Sequence, residues 1–414
     1  MGVKILRQSL TRFMIPLQII YCQKRVYVIL VTMLKFKNIA LHYFIIVLFI
    51  SCKNESEKSP ETIISSKKEI AIKYAEGFEI TTLDNYKVIT LKNPWPGSNL
   101  TFKYALVEKG ITPPNAEDFD AIVEVPVKRI VVTSTTHIPS LEALGEMGAL
   151  IGFPNLNYIS SEKARAQILD GKILEVGKNE DLNTEILLDL APDAVVGFAV
   201  DGKNSTFSIL QNAGIPVLYN SDWTETSPLG KAEWIKFFGA LFNKEKQANS
   251  IFNTIETDYL LAKEIAATAK EKPTVISGAM FKDIWYMPQG ESWGAQFIED
   301  ANGNYLWSDS KGTGSLSLSL ESVLEKGHGA DIWIGPGQFT RFEDLQNASQ
   351  AYTQFNAFKN KEVYTYNLKK GEKGGSIYFE LAPNRPDLVL KDMIKILHPE
   401  LLPEHSLYFF NKLQ

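Results

Sequence analysis

Between residues 244 and 270 the chain carries Ala248, Ile251, Ile255, Tyr259, Ala262, Ala266 and Ala269 at spacings of three or four. That spacing is one face of a single long helix. About 27 residues at ~1.5 Å each make a rod of ~40 Å, with Pro273 just beyond it. On the N-terminal side the sequence alternates short apolar runs (RIVVTST, LIGF, LEVG, DAVVGF, IPVLYN) with helical stretches (SLEALGEMGAL with Gly148 near its end, residues 160–169, ILLDLAP, and FSILQNAG closed by Gly214). On the C-terminal side the rhythm returns. PTVISGAMF is a strand into a loop, and WGAQFIEDANG is a helix ending in Gly303. LESVLEKGHGADIWIGPG repeats TEILLDLAPDAVVGF in kind, VYTYN is a strand, and RPDLVLKDMIKILHP is a helix with Pro386 in its first turn and Pro399 past its end. Short apolar strands alternating with helices specify parallel sheets covered on both faces. The expected fold is therefore α/β, with two parallel-sheet lobes joined by one long rod helix.

Ahead of this, FEITTL, YKVITL and LTFKYALV read as strands, with turns at Asp84-Asn85 and Pro94-Trp95-Pro96-Gly97. The expected organisation is a leader over 1–51, a flexible tether over 52–69, a β extension over 70–127 and an N-lobe over 128–243. The connecting helix over 244–270, a C-lobe over 271–400 and a C-terminal tail over 401–414 follow.

Charge narrows the partners. The 414 residues carry a net charge of −5, yet residues 1–51 hold seven Lys/Arg (Lys4, Arg7, Arg12, Lys24, Arg25, Lys35, Lys37) and no Asp or Glu. The body beyond is more acidic still, which argues against nucleic acid as a partner, since that needs a basic footprint. Two cysteines, Cys22 and Cys52, exclude a disulfide scaffold or a Cys-rich metal cluster. Five histidines leave little room for a polyhistidine site, and no metal site of three or four convergent His/Asp/Glu is visible. Enzyme signatures are missing: no GxSxG, GxxxxGK[ST] or HExxH occurs.

From Met33, Lys35 and Lys37 precede an apolar run from Ile39 to Ile50 interrupted by His42, then Ser51, Cys52 and a polar stretch. The run is about 12 residues, too short for the ~20 that span a bilayer, and its flanks are those of a secretory signal. Residues 1–32 read as extra sequence before a start at Met33. The segment resembles the lipobox of bacterial lipoproteins, with Phe49 standing where leucine is usual. That resemblance implies export to the periplasmic face and lipidation of Cys52, anchoring the chain to a bacterial membrane. An uncleaved anchor with an incidental cysteine is the alternative. Residues 53–69 are too polar to fold alone and read as a leash.

The ordered series KRIVV, EALGEMGALIGF, TEILLDLAPDAVVGF, rod helix, LESVLEKGHGADIWIG and RPDLVLKDMIKILHPE, over about 128–400, resembles the Fe/B12 periplasmic-binding domain. These are the class III substrate-binding proteins of ABC importers for ferric siderophores, heme and cobalamin. The resemblance implies two rigid lobes with little hinge motion and a ligand held between them. Its implied partners are an ABC permease dimer with its ATPase and a small-molecule metal chelate, with no intrinsic cofactor and a monomeric chain. It also implies a glutamate on each lobe that meets permease arginines, here Glu185 and Glu321, each starting a helix before a buried strand. Arg–carboxylate pairs are strong and geometrically defined. A glutamate at a helix start also complements the helix dipole with no partner at all.

In an open α/β sheet ligands sit beyond the carboxyl ends of the strands. Those loops hold His137, Tyr158, the 199–202 segment, Trp223, Phe281, Trp285, Tyr286, Trp293, Phe339, Arg341, Tyr378, Phe379 and Arg385. Flat rings suit a planar or chelated ligand, and cobalamin, heme and catecholate siderophores fit such rings alike. Arg341 and Arg385 carry the charge to neutralise a carboxylate or propionate. The ligand set expected here is His137, Tyr158, Trp223, Phe281, Trp285, Tyr286, Trp293, Arg341, Tyr378 and Arg385. Any one of the aromatics taken alone is as well explained by lobe-core packing, and a lone histidine such as His137 is more often structural than a ligand to heme iron. The alternative function is a tethered surface protein for carbohydrate or peptide, because aromatic clefts also hold sugars.

Overall fold

The first lobe is built on β6 (Ile130–Val132), β7 (Leu150–Phe153), β8 (Leu174–Glu175), β11 (Ala194–Gly197) and β12 (Val217–Tyr219) once the extension strands β1 to β5 and the short pair β9 (Gly177–Lys178) and β10 (Asp181–Leu182) are counted in chain order. The order across the sheet is β12-β11-β6-β7-β8, and every pairing is parallel. IVV and AVVG are buried along their whole length, as strands covered on both faces must be. The structure, a computed structural model, describes residues 68–179, 181–198, 200 and 204–414. The leader, Cys52 and nearly all of the tether lie outside the described residues.

The extension comprises β1 (Lys68–Ile70), β2 (Phe78–Thr82), β3 (Tyr86–Lys92), β4 (Thr101–Glu108) and β5 (Ala121–Val125), in that spatial order. Pairing is antiparallel up to β4, and β5 then returns parallel to β4. The parallel return was not legible in the sequence. Nor is the extension a separate body. Phe78, Ile80, Ile89, Leu91, Tyr104 and Val123 enter the same core as the N-lobe strands, with the Phe78 ring 4.5 Å from that of Trp234. Tyr104 Oη accepts the Tyr219 N–H at 3.0 Å at the end of β12.

What fastens the extension is a pair of buried carboxylates. Residues 73–77 have no strand partner, and a buried N–H must find an acceptor. Lys73, Tyr74 and Ala75 donate to Glu233 at 2.9, 2.7 and 3.0 Å. Glu76 and Gly77 donate to Glu225 at 3.0 and 2.9 Å, and Trp234 Nε1 joins them at 3.0 Å. Glu233 is fully buried and balanced by Lys236 at 2.6 Å. Both carboxylates come from the region 225–241, whose helices Pro228–Glu233 and Ile235–Leu241 are buried throughout.

The rod helix is Glu245–Ala266, shorter than the 244–270 expected and about 33 Å long at ~1.5 Å per residue. Its N-terminal half gives Ala248, Phe252 and Ile255 to the core of the N-lobe. Its C-terminal half gives Tyr259, Ala262 and Ala266 to that of the C-lobe. Phe252 replaces Ile251 as the fully buried residue of that turn.

The C-lobe sheet runs β16-β13-β18-β19-β20, from β13 (Thr274–Ser277), β16 (Asn304–Tyr305), β18 (Ile332–Ile334), β19 (Val363–Thr365) and β20 (Asn411–Lys412). It is parallel except for β20. Residues 401–414 are therefore not a tail but the closing edge of the lobe. Asp392, fully buried, accepts the N–H groups of Tyr408, Phe409 and Phe410 at 2.8, 2.6 and 3.1 Å. The loop expected after PTVIS is instead a three-stranded antiparallel flap of β14 (Ala279–Phe281), β15 (Ile284–Pro288) and β17 (Ser315–Leu318).

Glu233→Ala strands three backbone donors and Lys236 in the core, and breaking a buried pair from one side costs ~3–5 kcal/mol. Urea denaturation should register a loss in that range. A loss under ~1 kcal/mol would mean the 73–77 segment finds other acceptors.

Candidate ligand cleft

The carboxyl ends of β13, β18 and β19 open onto one cavity. Gly278, at φ +79°, turns the chain from β13 into the flap, and an added Cβ there would meet Tyr286 O at 1.8 Å, so only glycine fits. The cavity holds about 640 Å³, and its walls are Phe281 and Tyr286 from the flap, Trp293, Phe339, Tyr366 and the pair Tyr378-Phe379. Tyr366 and Tyr378 stack at 4.4 Å and 12°, and Trp293 continues the stack on Tyr378 at 6.3 Å and 24°. No Asp, Glu, Lys, Arg or His is among its described lining residues.

The N-lobe meets this wall through Lys231. Its Nζ lies 5.2 Å from the Trp293 ring centre and donates to the carbonyls of Asp222 and Trp223 at 3.0 and 3.1 Å. Burial pulls the Lys231 pKa down, with Asp222 and Glu225 opposing.

Of the expected ligand residues, Phe281, Tyr286, Trp293 and Tyr378 come together here. Phe281 is 66 % exposed, while Tyr378 is buried. Trp285 does not join them. It is 0 % exposed, stacked on Trp333 at 5.4 Å, with its Nε1 on Ser277 O at 2.9 Å. In β15 alternate side chains take opposite faces, so Ile284 and Tyr286 point outward and Trp285 and Met287 inward. His137 is also sealed, 0 % exposed, its ring 5.4 Å from that of Phe238, and burial lowers its pKa. It is not among the lining residues of the aromatic cavity. Arg341 caps an exposed helix start and pairs with Glu343 at 2.5 Å, outside the cavity. Arg385 is held by Asp387 through two hydrogen bonds of 2.9 and 2.7 Å, so its charge is already matched. Tyr158 and Trp223 are exposed on N-lobe loops outside the cavity wall. Asp201 and its neighbours 199 and 202 lie outside the described residues. Tyr366 was missed, although it is the first residue past the end of β19, where the strand-end rule points.

A second, larger cavity of ≈ 1150 Å³ lies between the lobes beside the rod helix. Glu142, Ser160 and Arg165 line it from the N-lobe, Ile251 and Ile255 from the rod, and Glu380 and Arg385 from the C-lobe. Here the lobes touch. Glu380, 4 % exposed, accepts the Ser160 and Ser161 N–H groups at 2.6 and 2.8 Å. Burial pushes its pKa up to about 7, those two donors pull it down, and the nearby Glu142 carboxylate adds to the rise.

Glu185 and Glu321 occupy matching exposed positions in the first turns of helices Thr184–Leu190 and Leu320–Gly327. Each helix is capped by the residue before it, Asn183 or Ser319, and leads into a buried interior strand, β11 or β18.

Among the described residues no three His, Cys, Asp or Glu side chains converge as a metal site, and no helix is long and apolar enough to cross a membrane. Two uncharacterized lipoproteins of Methanocaldococcus jannaschii are similar along most of their length. One is 26 % identical, over 87 % of this chain and 90 % of its own. The other is 25 % identical, over 86 % and 93 %. Among solved structures, a periplasmic binding protein from Veillonella parvula superposes with a TM-score of 0.53 at 17 % identity, covering 78 % of this chain and 95 % of its own. A possible iron-binding, periplasmic solute-binding protein from Staphylococcus epidermidis gives 0.51 at 20 % identity, over 66 % and 99 %. The periplasmic heme-binding protein HutB of Vibrio cholerae gives 0.50 at 16 %, over 64 % and 99 %. These likenesses carry the fold, and the sequence pattern named for the periplasmic binding proteins matches residues 130–368, more than half of the chain. A binding protein rather than an enzyme, this chain belongs to the periplasmic binding protein family.

Proposed function

We propose that the chain is the substrate-binding component of an ABC importer, taking a metal chelate into the aromatic cavity of the C-lobe and handing it to a permease. The observation that carries this reading is the cavity itself, with stacked rings at the strand ends and no charged side chain among its described lining residues. Stacking and area burial are what such a wall offers. With no charged side chain among the described lining residues, and one Lys231 ammonium 5.2 Å from the Trp293 ring, the wall gives a highly anionic chelate little to offset its desolvation, whereas a neutral one loses little on entry. An iron chelate of the neutral trihydroxamate kind, or the flat face of a corrinoid, therefore fits better than a trianionic catecholate or the propionate edge of heme. The similar proteins described as iron-binding and heme-binding support a chelate as the ligand class.

Delivery follows from the two glutamates. Glu185 and Glu321 present one carboxylate per lobe on equivalent helices, the arrangement a two-fold permease can engage at both ends. Tethering would come from a lipid on Cys52, in keeping with the lipoprotein naming of the similar archaeal chains.

Tryptophan-quenching titration with ferric trihydroxamate, cobalamin, hemin and a ferric catecholate tests the ligand. Phe281→Ala, Tyr286→Ala and Trp293→Ala should each weaken binding of the preferred chelate by ~1 kcal/mol or more, about fivefold. Unchanged affinity in all three removes the cavity from the function, and binding of an oligosaccharide alone would favour a carbohydrate-binding role.

Glu185→Ala and Glu321→Ala should leave that titration unchanged and impair reconstituted uptake by the cognate permease. The double variant should be worse than either single one, because two tethered contacts act together. Normal uptake in the double variant rules out docking through these carboxylates.

A further inference from the structure

One five-residue helix, Ile377–Leu381, takes part in both cavities. Tyr378 and Phe379 line the aromatic cavity, while Ile377, Glu380 and Leu381 line the cavity between the lobes. Glu380 holds the Ser160 and Ser161 N–H groups at the start of the N-lobe helix Glu162–Leu169. Just after the helix, Asn384 accepts from Ser140 Oγ at 2.9 Å and donates to Thr136 O at 2.8 Å. Just before it, the backbone presses on the N-lobe so closely that a Cβ on Gly371 would lie 2.6 Å from Ser160 Cα, and one on Gly375 2.3 Å from Tyr158 O. Four directed bonds and two glycine contacts thus join the lobes through residues 371–384.

The seam is tight but not fully satisfied. Ser160 Oγ, Ser376 Oγ and Arg165 Nε are buried there without a protein partner. A buried donor or acceptor left unmade is costly, and water repays it when the seam opens. Closure is therefore a balance that a small bias at either end can move, rather than a locked interface.

Resting on the reading of the aromatic cavity as the ligand site, we propose that helix Ile377–Leu381 couples ligand occupancy to the interlobe seam. A ligand packed on Tyr378 and Phe379 holds the helix in place and so keeps Glu380 and Asn384 on the N-lobe. Because coupling free energies are reciprocal, losing the bonds of Glu380 or Asn384 lowers ligand affinity although neither residue lines the aromatic cavity. The coupling acts locally, with the rod helix left in place.

The seam also titrates. The Glu380 carboxyl is raised to about 7 chiefly by burial. A raised carboxyl favours the closed state fully below its free value near 4.5, and that contribution is lost as pH rises through about 7. The charged groups around it among the described residues are Glu142, itself paired with Lys163 at 3.0 Å, Arg385 paired with Asp387 at 2.7 Å, and Glu162, Arg165, Lys370 and Glu372 on the same cavity wall, with His137 on the packed turn Thr135–His137.

Amide hydrogen exchange of the peptide 158–165 reads the seam directly in the whole protein, after correction for intrinsic exchange chemistry. Glu380→Ala and, independently, Gly375→Val as a wedge should speed that exchange about tenfold or more. Tyr366→Ala, which removes the ring stacked on Tyr378 from the aromatic-cavity side, should speed it too. From pH 5 to 8 the exchange should rise in the parent chain and stay flat in Glu380→Gln. Ferric trihydroxamate, the probe for occupancy, should slow it. Seam exchange unmoved by Tyr366→Ala, or unmoved by a chelate that demonstrably binds, overturns the coupling. Failure of every chelate to bind overturns the ligand reading instead, and the Tyr366→Ala result still decides the coupling.

Discussion

The backbone N–H groups of segments that belong to no sheet decide how this molecule is held together. A buried N–H must find an acceptor, and here four buried carboxylates collect them in runs. Glu233 takes those of residues 73–75, Glu225 those of 76–77, and Asp392 those of 408–410. In each case a stretch that would otherwise cross the surface becomes part of a lobe. The extension is fused to the N-lobe and the C-terminus to the C-lobe. Glu380 is the fourth and works differently, since its donors, Ser160 and Ser161, belong to the opposite lobe. The chemistry is the same in all four, but only at Glu380 does losing the bond separate two lobes rather than loosen one.

The rod helix sets the frame in which this matters. Its apolar face passes from one core to the other between Ile255 and Tyr259, so each lobe owns half of a rigid element. Large relative motion would require unpacking one half. Movement restricted to the seam parts the hydrogen bonds of Glu380 and Asn384 and the glycine contacts, while Leu229 stays in the C-lobe core and Lys231 stays over Trp293.

Much of the architecture was legible because its signals are local. The spacing of Ala248, Ile255, Tyr259, Ala262 and Ala266 specifies the rod, and fully apolar runs such as IVV and AVVG specify covered parallel strands. The parallel return of β5, the flap and the pairing of β20 with β19 were not legible, because each is a long-range hydrogen-bond choice with no composition of its own. The site divided on the same line. Period-two alternation in β15 separates Trp285 from Tyr286 once the strand is known, but read as a loop the segment offers no such sorting. Arg385 stands two residues from Asp387, close enough in sequence to suggest that its charge was spoken for. Nothing around His137 in the sequence signals that its ring is sealed against Phe238.

A wall of stacked rings with no charged side chain among its described lining residues has a consequence for release. A ligand held by complementary charges can be displaced by a competing ion or by a permease that rearranges those charges. A ligand held by Tyr378, Trp293 and their neighbours offers no such handle, since stacking is insensitive to salt and weakens only when the rings part. Under the proposed function, release therefore has to be mechanical. The two wall residues Tyr378 and Phe379 share their short helix with Glu380, whose bonds end at the start of an N-lobe helix. A permease that draws the lobes apart by their outer carboxylates would pull on that seam first, and through it would move the rings that hold the ligand.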